Sequence, residues 1–303
     1  MLLAAGLGTR LRPLTDLRPK PIVPVANKPL AAFAMEHLAR SGVTRIVANT
    51  HPRPVEVESA LKYACPAGVE LLFSRESQLL GTGGGLRKAY PSFDDSQDSV
   101  VVMNGDTLFA PDLARAVEEH ESRDAVATMI LRRAPDAARF GAIGIDASGR
   151  VLSLLGTPHD QAVPEELMFT GVHILSREAF SAMPESGCVI RTAYRNWVDS
   201  GAPVLGIVDD SPWADLGTVS EYHRLNLALA SGSVTWPGIS PGGGCILPGG
   251  LDASPSIRRS VVGEGVAVEE GVTLDRCVVW PDVRVETSAT NAVITTDHII
   301  AVN

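Results

Sequence analysis

Short apolar runs alternate with stretches of helical periodicity along most of this chain, and that alternation constrains its fold more than any other feature. Leu2-Leu3-Ala4-Ala5, Arg45-Ile46-Val47-Ala48-Asn49, Val69-Glu70-Leu71-Leu72-Phe73 and Ser99-Val100-Val101-Val102-Met103 read as buried strands. Between the first two, Pro29 opens a helical pattern with Leu30, Phe33, Ala34 and Leu38 on one face, and Gly42 closes it. A weaker helix spans 54–64. The pattern continues with a strand at 125–132, an alternating hairpin at 139–146 and 151–155, and a strand at 167–174. An amphipathic helix at 188–200, a strand at 203–208 and a helix at 219–230 follow. Alternation of this kind predicts an α/β fold with a mostly parallel sheet, its ligands bound at the carboxyl ends of the strands.

After Gly232 the texture changes to short β-rich pieces with Gly and Pro. Ile239, Cys245, Leu251 and Ile257 recur every six residues; after a one-residue slip Val262, Val268 and Leu274 do the same, with Val266, Val272 and Val278 four positions further along. A six-residue period predicts a parallel β-helix of hexapeptide rungs, hence two domains, 1–232 and 233–303. A short solenoid must cover its open end, so the tail is expected to pack on the first domain or on another subunit, making a homo-oligomer. The net charge of −9 over 303 residues argues against nucleic acid or an anionic membrane as partner. No apolar stretch is long enough to span a bilayer, and the start lacks a signal-peptide pattern, so a cytoplasmic protein is expected. Cys65, Cys188, Cys245 and Cys277 are scattered, without disulfide or zinc spacing.

Three loops carry the chemistry. The first apolar run feeds Gly6-Leu7-Gly8-Thr9-Arg10-Leu11-Arg12, closed by Pro19-Lys20-Pro21. Gly6 and Gly8 allow a sharp turn and close approach of N–H groups to an anion, while Arg10, Arg12 and Lys20 offer charge-assisted hydrogen bonds. A Walker loop would need Gly-Lys-Ser/Thr after four intervening residues, and a dinucleotide fingerprint a third glycine where Leu11 stands. A second glycine-rich stretch, Leu80-Gly81-Thr82-Gly83-Gly84-Gly85, follows the third strand; it reads either as a surface against which a flat base lies or as a turn. The third is Asn104-Gly105-Asp106 at a strand tip, where a carboxylate suits Mg²⁺, a hard cation with oxygen ligands. Since Pro111-Asp112 already starts the next helix, capping does not need Asp106. His173, inside an apolar strand with no nucleophile or metal pattern nearby, reads as a core histidine.

Gly6-Leu7-Gly8-Thr9-Arg10-Leu11 through Pro13-Leu14-Thr15 to Pro19-Lys20-Pro21 resembles the signature of the sugar-1-phosphate nucleotidylyltransferases, and its nearest look is to the mannose-1-phosphate guanylyltransferase branch. Leu80-Gly81-Thr82-Gly83-Gly84, Asn104-Gly105-Asp106 and Trp213-Ala214-Asp215-Leu216-Gly217-Thr218 match further elements in order. The resemblance implies a Rossmann-like, doubly wound sheet with a left-handed parallel β-helix behind it. It implies transfer of a nucleoside monophosphate from a triphosphate, GTP by preference, to a sugar 1-phosphate, mannose 1-phosphate by preference, with Mg²⁺ as cofactor. It places catalysis on Arg10, Lys20, Asp106 and Asp215, the metal on Asp106 and Asp215, and the nucleotide on Leu3, Ala5, Gly6, Gly8, Thr9, Gly81 and Thr82. The sugar falls to Gly141, Glu166, Thr170 and Gly171. Arg10 would hold the leaving β- and γ-phosphates and Lys20 would offset charge at the α-phosphate.

Three departures keep alternatives open. The first strand is short for the family. Phe140-Gly141 stands where Tyr-Gly is usual, and Gly156-Thr157-Pro158 replaces a Glu-Lys-Pro whose charges meet sugar and phosphate; Glu165 or Glu166 are candidate substitutes for the carboxylate. Uridylyl or thymidylyl transfer, and an inactive nucleotide-sugar sensor, are the competing readings. Acyl transfer on the tail is disfavoured, because His298 is its single histidine.

Overall fold

The computed structural model describes every residue except 95, 136, 138–140, 157–164, 250, 252–255 and 303. Contacts divide the chain into two compact units: Met1–Gly6 with Ala31–Trp213, and Leu7–Leu30 with Ala214–Asn303. These units cut across the boundary at 232 read from the sequence.

In the first unit the apolar runs become the strands of one sheet. Strand β1 (Leu2–Ala4) lies parallel to β2 (Arg45–Thr50) on one side, Leu2 beside Ala48. On its other side lies β4 (Ser99–Asn104), Leu2 beside Met103, and β3 (Glu70–Arg75) pairs outside β2. Helix α1 (Leu30–Arg40) links β1 to β2, ended by Gly42 at φ +87°, and α2 (Pro54–Tyr63) links β2 to β3. Helix α3 (Gly81–Ala89) returns the chain to β4. The order β3-β2-β1-β4 reverses direction at β1, so a crevice is expected between the carboxyl ends of β1 and β4.

The other half of the sheet is mixed. Helix α4 (Leu113–Ser122), capped by the Asp112 carboxylate accepting from the Arg115 N–H at 3.1 Å, leads to β5 (Ala127–Arg132). The hairpin of β6 (Ile143–Ile145) and β7 (Val151–Ser153) extends the sheet beside the start of β8 (Glu165–Ser176). Strand β8 runs antiparallel to both β4 and β5, and its register with β5 slips between Phe169 and Val172. The helix expected at 188–200 is a π-helical turn at Ile190–Tyr194 followed by α5 (Arg195–Asp199); β9 (Val204–Val208) then pairs parallel with β5. Val102, Met129, Leu131, Leu167, Leu175 and Tyr194 pack in the core of this unit. His173 is buried there, its Nδ1 2.7 Å from the Tyr194 hydroxyl. Burial drives its pKa down to about 3, which fits a neutral core histidine.

The second unit is assembled from distant pieces of chain. Helix α6 (Val219–Ser231) starts at Thr218, whose Oγ1 accepts from the Glu221 N–H at 3.2 Å and donates to Glu221 Oε2 at 3.1 Å, and stops at Gly232 in the left-handed region. The Tyr222 hydroxyl donates to the Pro24 carbonyl at 2.6 Å and accepts from Trp280 Nε1 at 3.0 Å. Asn226 Oδ1 accepts from the Ala26 N–H at 2.8 Å, and Asn27 Nδ2 donates to the Val262 carbonyl at 2.7 Å. These bonds explain why the stretch 7–30 clusters with the C-terminal third.

Beyond α6, β10 (Ile257–Arg258), β11 (Val261–Val262), β13 (Leu274–Val279) and β15 (Ala289–Ile294) stack in parallel, Ile257 beside Leu274 and Leu274 beside Ala289. β12 (Ala267–Val268) pairs in parallel with β14 (Arg284–Val285), and β16 (Ile299–Ala301) lies antiparallel to β15. Of the residues in the six-residue period, Cys245, Ile257, Val262, Val272, Leu274 and Val278 are buried; Ile239, Leu251, Val266 and Val268 are half-buried.

Candidate active site

In the second unit a charge cluster forms around Asp215. Arg10 Nη2 stands 3.5 Å from Asp215 Oδ2 and Lys20 Nζ 3.6 Å from Asp215 Oδ1. The Lys20 side chain is 5% exposed and that of Arg10 64%, so one cation is held under the loop while the other reaches into solvent. Glycines make the approach possible. A Cβ on Gly8, whose φ is +63°, would lie 2.8 Å from Lys20 Cβ and 2.9 Å from Thr15 Cγ2, and one on Gly217 would lie 2.7 Å from Arg10 Nη1. The Thr15 hydroxyl donates to the Gly8 carbonyl at 3.0 Å and pins the turn. Because Thr218 caps α6, Asp215 is not spent on capping. Arg12, read as a third phosphate ligand, pairs with Asp16 on the surface. Thr9 is exposed.

In the first unit, the carboxyl ends of β1 and β4 meet where the strand order reverses. Leu3 is half-buried and Ala5 4% exposed, so these two offer main chain more than side chain to a ligand. Gly6 is exposed, with open space where a Cβ would stand. The Gly105 N–H donates to the Leu3 carbonyl at 2.9 Å, which sets half-buried Asp106 beyond the tip of β4.

The second glycine stretch is a helix start packed on protein. Gly83 N donates to the Gly187 carbonyl at 2.9 Å, Gly187 N to the Leu80 carbonyl at 2.7 Å, and Thr82 Oγ1 accepts from the Val189 N–H at 2.9 Å. A Cβ on Gly84 would stand 2.5 Å from the Glu185 carbonyl oxygen. Of this run, which could carry a base or form a turn, Gly83, Gly84 and Gly85 are buried, whereas Leu80, Gly81 and Thr82 stay partly accessible.

The expected sugar contacts separate. Glu166 is exposed on β8, while Glu165 is held by Arg133 at 2.7 Å. Gly141 has φ +79° and no room for a Cβ beside Leu155. Gly171, at φ +84°, makes space for the Asn104 carboxamide at the tip of β4. Thr170 is 1% exposed; it donates its hydroxyl to the Ile130 carbonyl at 2.7 Å, and its own carbonyl accepts from Trp213 Nε1 at 3.1 Å. Its side chain lies at the slip in β8, where it also accepts from the Val172 N–H at 3.4 Å. Phe140, Thr157 and Pro158 lie outside the described residues.

Sequence reasoning missed Asn49 and Glu76, both buried at the carboxyl ends of parallel strands. Their position was the available signal, because polar residues at such ends face the ligand side of the sheet.

Comparison with known proteins is decisive for the family. A nucleotidyl transferase family model matches residues 1–232. This chain belongs to the sugar-1-phosphate nucleotidyltransferases. It is 30% identical over 293 residues to a mannose-1-phosphate guanylyltransferase of Mycobacterium tuberculosis, covering 94% of this chain and 80% of that one. To a UTP–glucose-1-phosphate uridylyltransferase of Synechocystis it is 28% identical, covering 92% and 82%. A D-glycero-alpha-D-manno-heptose 1-phosphate guanylyltransferase of Aneurinibacillus thermoaerophilus is 32% identical over 76% of this chain and 97% of its own. Among solved structures, HddC from Yersinia pseudotuberculosis shares the fold with a TM-score of 0.62 at 24% identity, over 74% of this chain and 96% of that one. No helix among the described residues is long and apolar enough to cross a membrane.

Proposed function

We propose that the protein joins a nucleoside triphosphate to a sugar 1-phosphate, releasing pyrophosphate, with GTP as preferred donor and mannose 1-phosphate as preferred acceptor. One observation carries the reading: a buried Lys20 and an extended Arg10 are held on one carboxylate, Asp215, with Gly8 leaving no room for a methyl group beside Lys20. An oxygen of the sugar phosphate attacks the α-phosphorus in line, the new P–O bond forms as the bond to the β-phosphate breaks, and pyrophosphate leaves. Lys20, shielded from water, offsets charge building at the α-phosphate; Arg10 holds the leaving phosphates. Arg10, Lys20 and the backbone of Gly8 bind and orient, and no covalent nucleophile is required.

Asp106 and Asp215 are the carboxylates proposed to hold Mg²⁺. Two carboxylates are an all-oxygen donor set, which suits a hard cation that keeps waters and takes further ligands from phosphates. When bound, the ion would neutralise phosphate charge. The names of the guanylyltransferase relatives favour GTP. The parallel neighbours Ile257, Leu274 and Ala289 favour parallel β-helical stacking in the tail; its left-handed winding, and association of copies of the chain through it, are proposed from the family resemblance.

The test is the initial rate of pyrophosphate release with Mg²⁺ and each of GTP, UTP, dTTP, CTP and ATP across several sugar 1-phosphates. GTP with mannose 1-phosphate is expected to be fastest. A pyrimidine donor preferred by about tenfold or more, equivalent to about 1.4 kcal/mol in the transition state, would refute the donor assignment, and no release with any pair would refute the enzyme.

A further inference from the structure

One directed chain of hydrogen bonds joins the carboxyl ends of β1, β2 and β3. The Ala4 N–H donates to Asn49 Oδ1 at 2.8 Å, Asn49 Nδ2 donates to Glu76 Oε1 at 2.7 Å, and the Leu80 N–H donates to Glu76 Oε2 at 2.9 Å. Asn49 is 3% exposed and Glu76 4%. Gly85 leaves them room: a Cβ there would stand 2.8 Å from Asn49 Nδ2 and 2.9 Å from Glu76 Oε1. Ala4 immediately precedes Ala5-Gly6 of the first loop, and Leu80 immediately precedes Gly81 of the second. We infer that Asn49 and Glu76 are positioning residues that tie these two nucleotide-facing segments together, so that both are set before the triphosphate arrives. The inference deepens the nucleotidyl-transfer reading and rests on it for the identity of the ligand.

The polarity of the chain dictates its chemistry. Both ends are main-chain N–H donors, so the interior must hold one group that accepts from both of its neighbours. A carboxylate does so; an amide cannot. In Glu76→Gln the new NH₂ faces either the Leu80 N–H or Asn49 Nδ2. Turning Asn49 over to receive it only moves the clash, since the Asn49 NH₂ then faces the Ala4 N–H. One buried donor is left opposed to another in every arrangement. Asn49→Asp alone sets two carboxylates against each other with no proton between them. The double exchange Asn49→Asp with Glu76→Gln restores the chain: Asp at 49 accepts from the Ala4 N–H and from the Gln amide, whose oxygen accepts from the Leu80 N–H. Net charge is unchanged.

The experiment measures hydrogen exchange of peptides covering 2–8 and 77–86 in the intact protein, together with kcat and the KM values for GTP and mannose 1-phosphate. In Glu76→Gln exchange is expected to rise in both peptides and KM for GTP to rise about tenfold, with kcat and KM for the sugar phosphate within about threefold. The double variant is expected to recover exchange and KM alike. Faster exchange confined to 77–86, or a double variant no better than Glu76→Gln, would overturn the tie. Exchange reads the tie without turnover, so the expected exchange pattern in a protein that releases no pyrophosphate upholds the tie and rejects the enzymatic reading instead.

Discussion

At Gly83 and Gly84 the absent side chain makes way for protein: a Cβ would meet the Pro184 ring or the Glu185 main chain. At Gly8 and Gly217 it makes way for charge, a Cβ there meeting Lys20 or Arg10. Both stretches read alike as glycine-rich loops beside a strand, and both admit the same functional interpretation. Their surroundings divide them. In the first unit the glycines let a helix start close on the turn at Gly187, which fixes the shape of a surface; in the second they let a lysine and an arginine converge on one carboxylate. A methyl group added to the former should therefore cost stability, and one added to the latter should cost chemistry.

The largest effect is expected at the charge cluster. Lys20→Ala removes the shielded cation and should lower kcat for pyrophosphate release by about a thousandfold, the scale of a lost transition-state donor, with the far-UV circular dichroism unchanged. Near-normal turnover would mean that the cluster is structural and would erase the contrast. Next come the glycines themselves. Gly84→Ala should lower the unfolding free energy by about 1–3 kcal/mol through overpacking, with kcat of the folded enzyme within about twofold. Gly8→Ala, strained at φ +63°, should also lose stability, and what sets it apart is a fall in kcat of at least about tenfold because Lys20 is displaced. Urea titration and steady-state kinetics on the two variants decide the matter, and equal losses on both axes would collapse the distinction.

Acid should load the scaffold side. His173 is neutral in the folded protein because burial lowers its pKa from 6.5 to about 3, so the unfolded chain takes up the proton first as pH falls. Its contribution to stability is complete above pH 6.5 and is lost progressively below it, at about 1.4 kcal/mol per pH unit toward pH 3. His37 and His120, also lowered chiefly by burial, act in the same direction. Unfolding free energies measured at pH 7.5 and 5.5 should show the drop, and His173→Gln, whose amide can still accept from Tyr194, should shrink it. The smallest effect is expected at Thr218, which starts α6 beside Gly217. Thr218→Ala should cost about 1 kcal/mol as a lost helix cap, with kcat nearly unchanged if Asp215 is held by its cations and not by the cap; calorimetric Tm and kcat on the same preparation give the answer.

The sheet was legible because its strands are apolar runs and its helices carry their own punctuation. Gly42 and Asp112 mark helix ends in the sequence, and a cap at Asp112 makes capping by Asp106 unnecessary. What escaped depends on register between distant strands. Glu76 looks like a turn residue until β2 and β3 are aligned and Asn49 falls beside it; Thr170 looks like a polar site residue until the slip in β8 buries it against Ile130. The π-helical turn at Ile190–Tyr194 has the same apolar spacing as an α-helix, so periodicity could not announce it. Nor does local pattern reveal that 7–30 belongs with the C-terminal third. The bonds responsible join residues 198 to 235 positions apart.

That last arrangement bears on how the protein is made. A ribosome finishes the first unit's sheet strands by Val208, and sheet and core can assemble from residues already synthesised. The loop carrying Arg10 and Lys20 was translated long before, yet it must wait for Asp215, Tyr222 and Trp280 to emerge before it has anything to fold against. A chain interrupted in between therefore carries a finished scaffold and an unassembled charge cluster. On the proposed reading, a copy cut short of Asp215 would lack the cluster that performs the transfer.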